Sequence, residues 1–161
     1  MIIREEGPSD GAAVHEVVRA AFGRTNEAML VDRLRADGDS TVSLIAVDDA
    51  SVIGHVMLSR MKAPFQALGL APVSVRPDRQ RSGVGSSLVL EALTRARQGR
   101  FEAVFVLGDP AFYGRFGFHS EPASGFTSPY AGPHFMVLPL KSGLSTRTGT
   151  IDYASAFATL G

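Results

Sequence analysis

Between Leu68 and Leu107 the apolar pattern changes period twice, which leaves such a chain few folds to adopt. "LGLAPVSV" is apolar and β-branched like a strand, but Pro72 interrupts it. Proline donates no ladder hydrogen bond, so an edge or a bulge is expected there. From Gly83 the repeat becomes helical: Val84, Leu88, Val89, Ala92, Leu93 and Ala96 form one stripe, with Glu91 and Arg95 four apart on the polar side. "FEAVFVLG" then reads as a strand buried on both faces. Strand, helix and strand in this order predict a parallel pair joined by a right-handed crossover.

The remaining pattern surrounds that unit. "MII" is a short strand, and Pro8 and Ser9 start a helix with Val14, Val17, Val18, Ala21 and Phe22 at helical spacing up to Gly23. A second helix, capped by Thr25, carries Leu30, Val31 and Leu34 and stops at Gly38. "TVSLIAVDD" and "SVIGHVML" predict a hairpin, "DPAFYGRFGF" a short helix closed by Gly117, and "HFMVLPL" a further strand. The tail 141–161 is rich in Gly, Ser and Thr, with one strand expected at "GTIDYA". With 161 residues, 45% of them hydrophobic, the chain has apolar material for one core. We expect a single α/β (α+β) domain over 1–161, residues 141–161 forming a C-terminal extension.

Sixteen basic residues balance sixteen acidic ones, so no global field recruits nucleic acid or an anionic membrane, and a small partner is expected. The absence of cysteine removes disulfides, thiolate metal sites and acyl-cysteine chemistry. His119 and His134 lack the spacing of a metal motif, so no metal is expected. "MIIREEGPSD" is charged from Arg4 onward and resembles neither a secretory signal nor a membrane span, which makes the cytoplasm the expected location.

The turn from Arg76 to Gly85 exposes the first amides of the helix, which lack internal partners and lie at the positive end of its dipole. Gly83 and Gly85 have no Cβ to keep a phosphate away, and Arg76, Arg79 and Arg81 add charge. A pyrophosphate suits such a turn. A tight turn with solvated arginines is the plainer alternative, and the residues by themselves leave both open. A dinucleotide fingerprint fails because Leu88 stands where a third glycine or alanine is needed, and a Walker A loop fails because Gly-Lys-Ser/Thr is absent.

"QRSGVG", Gln80 to Gly85, resembles the Gln/Arg-x-x-Gly-x-Gly/Ala signature with which GNAT superfamily N-acetyltransferases hold the pyrophosphate of acetyl-coenzyme A (acetyl-CoA). In that family the signature follows a bulged fourth strand and opens the third main helix. The order of elements is similar over about residues 1–140, and "LGDPAFYGRFGF" is similar to a segment of a branch of small bacterial members. The resemblance implies a mixed, mostly antiparallel twisted sheet with a central splayed parallel strand pair and flanking helices. It also implies a slot for the pantetheine arm between the strand ending at Val75 and "FEAVFVL".

Residue by residue, the resemblance implies pyrophosphate contacts from Gln80 and from the backbone of Arg81, Ser82, Gly83, Val84 and Gly85. Ser86 and Ser87 would offer hydroxyls, and serve equally as helix-start residues. Val73, Ser74 and Val75 would flank the arm, the bulge at Pro72 turning the N–H of Val73 or Ser74 toward the thioester carbonyl. Phe112, Phe116 and Asp109 complete the implied coenzyme set, although Asp109 before Pro110 is also a natural helix cap. Tyr113 falls where the family places the acid that protonates the departing thiolate; packing against Phe112, Phe116 and Phe118 is the alternative. A phenol of pKa about 10 keeps its proton at neutral pH. His55 and Glu27 are candidate bases, each with a structural alternative, a core histidine and a carboxylate facing the helix dipole. The implied activity is acetyl transfer from acetyl-CoA to a primary amine of a small molecule, peptide or protein, by direct attack in a ternary complex. A non-catalytic acyl-CoA sensor is the alternative. The acceptor pocket is expected among the N-terminal helices, the loop Pro64 to Gly69 and "SEPASGFTSPYAGPH", with a homodimer edge in the C-terminal strands.

Overall fold

Alternation along the strands sorts the apolar side chains onto the two faces of one sheet. The computed structural model describes residues 1–159. In chain order the elements are β1 (Ile2–Glu5), α1 (Gly11–Phe22), α2 (Asn26–Ala36), β2 (Ser40–Asp48), β3 (Ser51–Arg60), β4 (Ala67–Val75) and α3 (Val84–Gln98). They continue with β5 (Ala103–Leu107), α4 (Pro110–Tyr113), α5 (Ser120–Ala123), β6 (Phe126–Thr127), β7 (Phe135–Pro139) and β8 (Gly149–Thr150). The main sheet runs β1-β2-β3-β4-β5-β7 and is antiparallel except for β4 with β5. Parallel neighbours need a crossover, and α3 supplies it, as the change of period predicts.

Ile45, Met57, Phe105 and Val137 face α1 and α2, where they meet Val14, Val18, Leu30, Val31 and Leu34. Their neighbours Leu44, Val56, Leu58, Val104 and Val106 face the opposite way, onto Leu88, Val89, Ala92 and Leu93 of α3. Each such leucine or valine contributes about 1.5–3 kcal/mol through burial. The β2–β3 hairpin turns through Asp49 and Ala50, both left-handed (φ 49° and 62°), which suits the twist of a two-residue connection.

Two features of β4 prepare the site. Val56 pairs with Val73 and Leu58 with Leu70, so Ala71 and Pro72 together oppose the single residue Met57. This is the bulge expected at Pro72. Pairing with β5 covers only Ala67, Leu68 and Gly69, opposite Ala103, Val104 and Phe105. Beyond Gly69 the two strands part.

Local differences from the sequence reading have identifiable causes. Helix α1 starts at Gly11 rather than at Pro8–Ser9, because the Asp10 carboxylate binds the Gly7 N–H (2.6 Å) and Arg4 (2.8 Å) outside the helix. Thr25 stands at the N-cap of α2 but its side chain makes no capping bond. The expected strand at "GTIDYA" shrinks to Gly149–Thr150, parallel to β6, plus an isolated bridge between Asp152 and Lys62. Ile151, Tyr153, Ala154, Ala156 and Phe157 turn inward instead and join the core on the α1–α2 face, with a 3-10 turn at Ser155–Thr159 against α2. Leu160 and Gly161, the end of the expected extension, lie outside the described residues. Among the described residues, no helix is long and apolar enough to cross a membrane.

Candidate functional site

Helix α3 opens without a side-chain cap. Gly83 occupies its N-cap in a left-handed conformation (φ 88°), and Arg81 two residues earlier is also left-handed (φ 64°). For arginine this conformation costs about 1–2 kcal/mol, and such turns tip successive N–H groups into one concavity that suits an anion. Ser87 N–H bonds the Gly83 carbonyl (3.0 Å), so the amides of Val84, Gly85 and Ser86 are the orphan donors of the helix. A Cβ at Gly83 would meet nothing within 4 Å, so the space above it is open and the backbone angle is what requires glycine.

These amides border a groove of about 500 Å³. Of the residues singled out by the signature, Val73, Val75, Gln80, Arg81, Gly83, Val84, Gly85, Ser86 and Phe112 line it together. Ser74, Ser82, Ser87, Asp109 and Phe116 are not among the lining residues. Ser82 instead donates its hydroxyl to the Arg79 carbonyl, and Asp109 caps α4 by accepting from Ala111 N–H (3.0 Å). Gln80 ties the loop back to the sheet by donating from Nε2 to the Val75 carbonyl (3.0 Å).

Charge around the groove is partly spent on internal pairs. Arg76 holds Asp78 (2.7 Å) and Arg79 holds Asp48 (2.6 Å). Arg115 is the cation that the motif does not contain. It donates to Ser86 Oγ (2.9 Å), and its guanidinium lies over Phe112 (4.9 Å) and Phe116 (5.2 Å). Phe116 thus serves the site by seating Arg115. The signal in the sequence is the spacing of Phe112, Arg115 and Phe116, which sets an arginine between two rings on one helical turn. Ala21 and Phe22, at the end of α1, also line the groove and carry no motif.

Tyr113 ends α4 behind the groove wall, edge-on to Phe112 (4.9 Å) and Phe118 (5.8 Å). It is buried, and burial pushes its phenol up to about 12. The two candidate bases are held apart from the groove lining. Glu27, at the start of α2, is 7% exposed and makes a two-pronged pair with Arg24 (2.9 and 2.6 Å). His55 is fully buried on β3, opposite Ile45 and Ser74, because its position alternates inward. Its Nε2 lies 2.8 Å from Ser43 Oγ, which donates its one proton to Glu6 (2.7 Å). Nε2 is therefore the protonated nitrogen, and Nδ1 is a buried acceptor without a partner. Burial holds the His55 pKa below its ordinary value against the pull of Glu6. Burial also opposes ionisation of Glu6, but hydrogen bonds from His55, Ser43 and Arg35 outweigh it and bring Glu6 down to about 2. The structure thus assigns His55 to an internal polar chain. Among the described residues no group of three or more His, Asp or Glu side chains converges on a metal-sized site.

Comparison with known proteins bears on this geometry. The profile of the acetyltransferase (GNAT) family matches residues 12–118. The chain is 35% identical to the uncharacterized N-acetyltransferase YhbS of Escherichia coli K12, with 98% of each chain covered. It is 33% identical to the uncharacterized N-acetyltransferase YjhQ of the same strain, covering 91% of this chain and 88% of that one. Among solved structures it is similar to E. coli YhbS in complex with CoA (TM-score 0.90, 34% identity, 99% of this chain and 93% of that one). It is also similar to a GNAT family acetyltransferase from Brucella melitensis in complex with acetyl-CoA (TM-score 0.83, 34% identity, 97% of each chain).

Proposed function

The chain belongs to the acetyltransferase (GNAT) family, and from that premise we propose how its groove works: acetyl-CoA binds there and its acetyl group passes directly to a primary amine in a ternary complex. The observation that carries this reading is the left-handed turn at Arg81 and Gly83, which leaves open donors at the mouth of α3. The pyrophosphate lies on the amides of residues 81–85, with Arg81 and Arg115 as charged neighbours. The arm enters where β4 and β5 part, and the thioester carbonyl accepts from the N–H of Val73 or Ser74 beside the bulge.

The amine arrives neutral and its nitrogen lone pair attacks the carbonyl carbon. The C–S bond breaks as the C–N bond forms, the thiolate takes the phenolic proton of Tyr113, and the excess proton on nitrogen leaves to solvent. A phenol raised to about 12 stays protonated at any pH at which the protein works, so the acid is always loaded. Glu27 is the carboxylate proposed to receive the amine proton on its way out, from its place in the first turn of α2 beside Arg24. The neutral acceptor nitrogen of His55 points into the core and takes no part.

Calorimetry with CoA, with and without Gly83→Val, tests the reading. The wild type binds, and the valine variant binds at least about tenfold more weakly, since a left-handed β-branched residue costs about 1–2 kcal/mol and its side chain occupies the phosphate space. Equal affinities would remove the turn from the site. Thiol release from acetyl-CoA across a panel of amines, amino acids and peptides then separates transfer from a binding-only sensor.

A further inference from the structure

Where β4 and β5 part, a glycine within β4 and another just after β5 are each covered by a tyrosine ring. A Cβ on Gly108, just after β5, would lie 2.5 Å from Cε2 of Tyr113. A Cβ on Gly69, the last residue of β4 paired with β5, would lie 2.6 Å from Cε1 of Tyr153. Real side chains do not approach so closely, so both positions need glycine to seat the rings against backbone. Tyr113 is delivered by the short helix after β5, whereas Tyr153 is delivered by the C-terminal segment after β8.

The Tyr153 ring is wedged between Tyr130 (5.4 Å, near perpendicular) and Phe157 (4.9 Å), and only 6% of the residue is exposed. A buried phenol ordinarily finds a hydrogen-bond partner. The hydroxyls of Tyr153, Tyr113 and Tyr130 are not among the buried polar atoms shut away without a partner, so each keeps an opening. Burial pushes the Tyr153 phenol up, and the nearby phenols of Tyr130 and Tyr113 push it further.

We propose that Tyr153 is a second tyrosine of the reaction centre, its hydroxyl bordering the acetyl group across the slot from Tyr113 and accepting a hydrogen bond from the attacking amine. The proposal rests on the acetyltransferase reading above. A carboxylate in this place would hold the amine as an ammonium ion, which has no lone pair to attack with. A phenol raised well above neutrality stays uncharged, takes one N–H as acceptor and leaves the lone pair free. Tyr153 accordingly orients the acceptor and gains no proton. The acceptor subsite is then built in part by the C-terminal segment, and it favours amines presented without a charge.

The chain has three tyrosines, Tyr113, Tyr130 and Tyr153, so the full-length protein labelled with tyrosine carrying carbon-13 at Cζ gives three resonances, each assigned with its Tyr→Phe variant. Should Tyr153→Phe fail to fold, the other two variants assign the third signal by elimination. The labelled protein is saturated with acetyl-CoA and, separately, with CoA. The expected result is that the Tyr153 signal takes different positions in the two complexes, because only one carries the acetyl group, and that Tyr113 does the same. A Tyr153 signal at one position in both complexes, with binding verified by calorimetry, overturns the proposal and leaves the function intact. Failure of either compound to bind overturns both.

Discussion

On the reading proposed above, the coenzyme side and the acceptor side of the slot are built on different principles. At the mouth of α3 the atoms proposed to face the ligand are amides from one unbroken stretch, Arg81 to Ser86, and their placement follows from two backbone angles and one helix start. Across the slot the proposed facing groups are the phenols of Tyr113 on α4 and Tyr153 on the C-terminal segment, each positioned by ring packing from other elements. A site of the first kind withstands side-chain change and fails when the backbone angle is denied. A site of the second kind fails when a distant packing residue is lost, even with every polar group retained.

Four measurements press on that contrast. The largest effect is expected at Tyr113→Phe: turnover in steady-state thiol release falls about 10²- to 10⁴-fold while the calorimetric affinity for CoA holds. A fully active variant would move the proton source elsewhere. Phe157→Ala, far from the amides, removes a buried ring beside Tyr153 and should lower stability by about 3 kcal/mol in chemical denaturation. A loss below about 1 kcal/mol would mean that the C-terminal segment is not part of the core. Arg115→Ala should weaken CoA binding only about three- to tenfold, because an exposed cation adds to a cradle made by the backbone. A thousandfold loss would make the site side-chain-driven and erase the distinction.

The smallest effect is a pH dependence of stability from the internal chain. His55 is held below its ordinary 6.5 by burial, so the unfolded chain binds a proton that the folded one refuses. Stability is therefore constant above that value and declines as pH falls below it. Glu6, at about 2 when folded against 4.5 when free, adds a second decline as pH falls from about 4.5. Melting temperatures from pH 8 to 3 should show both steps, and His55→Gln should lack the first. A flat profile between 7 and 5 would contradict the buried neutral histidine.

These differences also explain what a reader of the sequence can find. The crossover, the bulge at Pro72 and the turn at Gln80–Gly85 are legible because period, proline and glycine act locally. Arg115 is harder to find, since its partner Ser86 stands on another element. His55 looks the same in a strand facing a cleft as in one facing a core, and burial against α1 decides between them. Tyr153 leaves no local trace at all. "GTIDYA" has strand character, but Ile151 and Tyr153 gain more from the core than from a ladder, and Gly69 acquires meaning only once the ring is seen lying on it.

One consequence of the parted strands remains. Because pairing ends at Gly69 inside the sheet and not at its rim, the unmet rungs of β4 and β5 face each other across a gap bordered by β3 and β7. Another polypeptide strand cannot dock there as it could on an open margin, whereas a slender chain bearing its own amides can. On the acetyltransferase reading the cosubstrate acts as a temporary seventh ribbon: loading it knits the two halves of the sheet, and releasing it leaves a seam along which they are free to breathe.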